Sequence, residues 1–73
     1  MDVHIFPEYR FWYAKVELTS QQWPPIDRLD LWLERPIYKW VTQDCEHSTN
    51  FTYYGHILFA HEDDLVRFLL TWS

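Results

Sequence analysis

The sequence predicts an α+β fold: a small two-layer β-α-β-β-α sandwich, with two helices on one face of a three-stranded antiparallel or mixed sheet. Three observations predict it. Residues Phe11 to Thr19 alternate apolar and polar, as a half-buried strand does. Near the chain end Leu65, Phe68, Leu69 and Trp72 recur at the spacing of one helical face. The chain has 73 residues, which is one small domain spanning 1–73. A domain of this size buries only roughly 60% of its unfolded surface. Five Trp, five Tyr and five Phe offset that shortage of core, since each aromatic buries on the order of 150 to 250 Å².

Residues 1–10 have no clear period, and Pro7 interrupts any regular ladder, so they read as an N-terminal arm or a short edge strand. In the strand Phe11 to Thr19, Trp12, Ala14, Val16 and Leu18 make the core face. Ser20 to Pro25 breaks the pattern, and Pro24 with Pro25 can open a helix, where the first residues need no amide donor. From Ile26 to Arg35, Ile26, Leu29, Trp32 and Leu33 share a helical face, with Leu31 outside it. Pro36 should end that helix, and Ile37 to Thr42 is read as a strand from its β-branched and aromatic residues. The helical spacing also continues through Ile37 and Trp40, so a kinked longer helix is the alternative. Gln43 to Asn50 is a polar loop, and Phe51 to Ala60 a strand in which Gly55 signals a bulge or a close backbone approach. Glu62, Asp63 and Asp64 then open the last helix, where carboxylates favour the positive dipole end. Val66 and Leu70 widen its apolar face, and Trp72 is expected to be held by packing rather than by a cap.

Composition excludes several classes of function. Six Lys and Arg against eleven Asp and Glu leave a net charge of −5, with no basic patch to grip phosphates. No direct contact with nucleic acid is expected, and an acidic surface instead suits a basic patch on another protein. No apolar run approaches a membrane span and no signal-peptide pattern opens the chain, so a cytoplasmic protein is expected. The lone Cys45 fits a reducing compartment.

Candidate chemistry is sparse. Cys45, His47, His56 and His61 are the residues from which a small metal-dependent enzyme would be built, with Asp44, Glu46, Glu62 and Asp63 nearby in sequence. They lack the paired spacing of a structural zinc site. Cys45 and His47 lie two apart in a loop, with no orienting third group in view. No Gly-rich phosphate loop exists in a chain with one glycine. The reading is therefore no catalytic residue, no metal and no cofactor. The predicted two-layer architecture leaves one sheet face uncovered, bearing Phe11, Tyr13, Tyr54 and Tyr38 unless residues 1–10 form a third layer. Phe11, Tyr13 and Tyr54, joined by the acidic helix flank of Asp27, Asp30 and Glu34, form the expected protein-binding site. A homodimer is the other occupant that such a face would suit.

The end of the chain, an acidic turn followed by Phe68, Leu70 and Trp72 in a Phe-x-Leu-x-Trp pattern, resembles small accessory proteins of tailed bacteriophages. The resemblance covers about the last quarter of the chain. It implies a non-enzymatic binder, acting in the host cytoplasm as a modulator or inhibitor of a host protein of transcription, nuclease or defence systems. A structural or assembly component of a virion is the third class considered.

Overall fold

In the computed structural model, which describes residues 1–24 and 29–73, the chain follows the order β1 (Asp2–Ile5), β2 (Ala14–Glu17), α1 (Leu29–Leu33), α2 (Pro36–Asp44), β3 (Thr49–Phe51), β4 (His56–Phe59) and α3 (Glu62–Trp72). The α+β class is as expected, but the sheet has four strands, in the order β1-β2-β4-β3, with every pair antiparallel. The expected β-α-β-β-α order is replaced by β-β-α-α-β-β-α.

Two of the differences arise from prolines and glycines with a second use. Pro36 does end α1, yet it also occupies the first turn of α2, so Ile37 to Thr42 is helix rather than strand. A first helical residue needs no N–H, and the fixed φ of proline already matches a helix. Arg35 is the N-cap, and its carbonyl accepts from the Lys39 N–H at 3.0 Å. The helical spacing that argued for a kinked helix is real, with Ile37 and Val41 buried one turn apart. It belongs to a separate helix.

Gly55 likewise divides the expected strand Phe51 to Ala60 into β3 and β4 instead of bulging it. Its φ of +83° closes the turn through the Gly55 N–H to Thr52 carbonyl bond at 3.0 Å, a conformation that glycine adopts without steric cost. The expected close approach is present as well. A Cβ added at Gly55 would lie 2.9 Å from Cδ1 of Trp23.

The core lies between the sheet and the helices. Ala14 and Val16 of β2, Ile57 and Phe59 of β4, Ile37 and Val41 of α2, and Leu65 and Phe68 of α3 form one buried cluster. The faces expected for β2 and α3 are therefore correct at their centres. Phe68 meets Phe59 at 5.4 Å and Trp40 at 5.8 Å between ring centroids. Leu69 and Trp72 pack at the margin of this cluster, whereas Val66 and Leu70 face outward, with Leu70 82% exposed. They lie on the far side of the 3.6-residue repeat and do not widen the buried stripe. Trp72 packs as expected, although Ser73 also caps the helix, its N–H and hydroxyl both donating to the Leu69 carbonyl.

The other sheet face is charged rather than aromatic. His4, Lys15, Glu17, His56 and Leu58 alternate with the core-facing residues of β1, β2 and β4. Glu17 lies 3.0 Å from Lys15, 3.8 Å from His4 and 4.0 Å from His56. The hydrogen bond from the Lys15 ammonium, with its charge and those of His56 and His4 adding to it, outweighs the desolvation cost and holds the Glu17 carboxyl below its ordinary range. A face lined by charged side chains is suited to water and needs no third layer. Residues 1–10 accordingly supply an edge strand and a turn instead of a cover.

Gly55→Ala is expected to destabilise the fold by about 2 kcal/mol, from the positive φ and the contact with Trp23 together. Urea unfolding followed by far-UV circular dichroism would show the shift. A change below a few tenths of a kcal/mol would contradict this account of the turn.

Candidate functional site

Two groups of side chains stand out, at different ends of the molecule. The first is a carboxylate, Asp64, in the first turn of α3 and wholly buried. The residue is four positions before Phe68, so the helix turns it toward the core flank. Burial alone would raise its pKa, yet the outcome is the reverse. Oδ1 accepts from the Glu46 N–H at 3.0 Å and Oδ2 from the His47 N–H at 2.9 Å, with His47 Nδ1 at 3.1 Å from Oδ2. These donors hold the carboxyl below its ordinary value of 3.8. With Asp64 ionised, Nδ1 of His47 must be the donor.

Around this carboxylate the α2–β3 loop is tied to α3. Arg67 reaches Asp64 at 3.5 Å and donates through Nη2 to the Asp44 carbonyl at 2.9 Å, closing the end of α2. The His47 ring stacks on His61 at 4.2 Å and an interplanar angle of 12°, and Nδ1 of His61 accepts the Asp63 N–H as the N-cap of α3. Cys45, partly buried nearby, has its thiol pushed up to about 11 by burial, with the Asp64 charge adding to it. A thiol held protonated is a poor nucleophile.

The residues considered for an enzyme are thus divided. His47 and His61 meet, with Cys45 in the same loop as His47, whereas His56 stands on the charged sheet face beside Glu17. Among the described residues no group of three or more His, Cys, Asp or Glu side chains is arranged to hold a metal ion. Asp64 supplies His47 with the orienting group that sequence reading did not find, but the geometry is that of a clamp between loop and helix. The signal for Asp64 was its position one turn before Phe68 on the apolar face.

The second group is aromatic. Thr19 and Gln22 exchange main-chain and side-chain hydrogen bonds at 2.9 and 3.2 Å, a Thr-x-x-Gln capping arrangement that fixes the turn before Trp23. Trp23 is buried, donates through Nε1 to the Tyr53 carbonyl at 2.9 Å, and has the Arg35 guanidinium 4.5 Å from its ring centroid. Phe51 lies 4.6 Å and Trp32 5.8 Å from it. Trp32 in turn touches Tyr38 at 5.4 Å and Tyr53 edge-on at 6.0 Å. Sequence reading assigned no role to Trp23, for which the Thr-x-x-Gln pattern was the available signal.

This cluster carries part of the expected binding site. Tyr54, 78% exposed, sits at the tip of the β3–β4 turn beside Tyr53, and Asp30 and Glu34 flank Trp32 with the exposed Leu31 and Leu33. Leu33 was expected on the buried face. Instead Leu33 is exposed, and Trp32 is the residue of this five-residue helix whose ring packs into the aromatic cluster. Tyr38, placed on α2, packs into the same cluster instead of onto a sheet face. Phe11 and Tyr13 lie elsewhere. Phe11, 70% exposed, precedes β2, while the turn bearing Tyr54 meets its other end through the Leu18 N–H to Gly55 carbonyl bond. Tyr13 is half-buried against the core. Phe11, Tyr13 and Tyr54 therefore do not share one sheet face. Glu34 pairs with Lys39 at 3.1 Å, so its charge is matched within the chain, and Asp27, like Pro25 and Ile26, lies outside the described residues.

Asp64→Asn should cost about 2–3 kcal/mol at neutral pH, because an amide NH₂ would face the donors of His47. The melting temperature would fall on the order of 15 °C. Since the folded pKa of Asp64 is depressed, its contribution is complete above the ordinary carboxylate value and is lost as pH falls through the folded value. Thermal melts between about pH 6 and pH 2 should therefore show a steeper acid loss in the wild type than in Asp64→Asn. Equal slopes would refute the role given to this carboxylate. Comparison with protein-family models, curated proteins and solved structures finds no match for the chain.

Proposed function

We propose that the chain is a non-catalytic protein-binding module whose contact surface is the end of the molecule formed by α1 and the β3–β4 turn. The observation that carries this reading is the exposure of Leu31, Leu33, Tyr53 and Tyr54 around a rigid aromatic base. Trp23, Trp32 and Phe51 hold that base in place, so the exposed rings lose little freedom on binding. Tyrosines with a polar tip and an apolar body suit the centre of a protein interface. A net charge of −5 favours a partner with a basic rim. The resemblance of the C-terminal stretch to small phage accessory proteins supports a bacterial host protein as that partner, and a modulating or inhibiting role.

Affinity capture from a bacterial lysate, at low and high salt, tests the reading when the wild type is set beside Leu31→Ser/Tyr54→Ser. Both side chains are exposed, so the double variant should keep its circular dichroism spectrum. A single stoichiometric partner, weakened by salt and lost with the double variant, is the expected result. Undiminished capture by the folded variant would place binding elsewhere.

A further inference from the structure

We propose that the chain pairs with a second copy of itself through the outer edge of β1, joining two four-stranded sheets into one. The interface uses none of the residues of the proposed partner surface and does not rest on that reading.

The ladder geometry carries the inference. In the β1–β2 pair the Phe6 N–H donates to the Tyr13 carbonyl at 2.8 Å. The register continues as Ile5 with Ala14, His4 with Lys15, Val3 with Val16 and Asp2 with Glu17. Antiparallel pairs alternate between those that exchange hydrogen bonds and those that do not. His4 and Asp2 therefore turn their main-chain groups toward β2. Val3 and Ile5 turn theirs toward the open edge. All four residues of β1 are exposed, and the strand contains no Pro, Lys or bulge to discourage pairing.

A two-fold axis through Val3 brings this edge onto its copy in antiparallel register. Val3 then faces Val3 in a hydrogen-bonded pair, continuing the core face of the sheet. Asp2 faces His4 of the second copy in the intervening pair, where side chains come closest, about 4.5 Å between Cα atoms. Both symmetry-related Asp2–His4 pairs bring an acid onto a basic side chain. A shift of the pairing by one residue along the strand would put apolar side chains opposite polar ones. A shift that keeps the faces matched would centre the axis on His4, apposing two histidines and leaving Asp2 against Phe6. Chemistry favours the Val3-centred register. A four-residue ladder is a small interface, so the association is weak and concentration-dependent.

Sedimentation equilibrium from micromolar to submillimolar protein tests this. The wild type should move from 9.1 kDa toward twice that mass. Val3→Pro removes an N–H that β2 does not use, so it should stay monomeric with an unchanged circular dichroism spectrum. Should that variant fail to fold, Val3→Lys makes the same test. Asp2→Lys relieves a like-charge apposition with Glu17 in the monomer, yet should weaken the dimer roughly two- to thirtyfold by placing Lys opposite His4. His4→Lys should leave it as tight or tighter, whereas a His4-centred register would be weakened. A wild type that remains at 9.1 kDa throughout, a folded Val3→Pro dimer, or loss of the dimer in His4→Lys would each overturn the proposal.

Discussion

A carboxylate shut away from water must find donors for both its oxygens or leave the fold unstable. Asp64 meets that demand with two main-chain amides and an imidazole, all from the segment joining α2 to β3. Because those donors belong to a loop, satisfying the charge also fixes where α2 ends and β3 begins. Arg67, one turn further along α3, completes the arrangement by donating to the carbonyl of Asp44, the last residue of α2. Two helices and an edge strand are thus located by one ionised side chain. The buried faces of Ile37, Val41, Leu65 and Phe68 then have fixed neighbours.

The aromatic cluster solves a different problem. A short chain cannot fill a large core with aliphatic side chains alone, and the described residues that follow β2, 18–24, form no helix or strand to rely on. Trp23 fills that region, bonded to Tyr53 and pressed against the backbone of Gly55. The rings of Trp32, Tyr38 and Phe51 build outward from it until Tyr53 and Tyr54 reach solvent. Rigid support below and exposed rings above are the same arrangement viewed from two sides.

The parts of this fold that could be read from the residues are those governed by periodicity. Alternation located β2 and its core face, and the repeat of Leu65, Phe68, Leu69 and Trp72 located α3, because each signal follows from one uniform geometry. Pro36 and Gly55 were ambiguous because each supports two structures. Proline stops one helix and starts another, and a glycine in a strand pattern serves as bulge, close approach or turn. Those two residues account for the missing helix α2 and the undivided hairpin. The binding residues were legible only in part. Tyr54 was expected to be exposed on an uncovered sheet face; it is exposed in the β3–β4 turn instead, and grouping it with Phe11 required a sheet face that charged residues occupy. Asp64 was counted among acids at a helix start. Its place one turn before Phe68 signalled the buried side of the helix, but the donors that satisfy it there, Glu46 and His47, lie far away in sequence.

The strand order β1-β2-β4-β3 also bears on how the chain reaches this state. It consists of two hairpins, each closed by a local turn, joined edge to edge by the β2–β4 pair. That central seam links Val16 to Ile57, with both short helices in the intervening segment. Local hairpins cost little loop entropy, whereas the seam must close the longest loop in the sheet. The pairing step with the largest loop-closure cost is therefore the meeting of the two hairpins. The residues best placed to govern its speed are the apolar side chains of the seam itself, Ala14, Val16, Ile57 and Phe59.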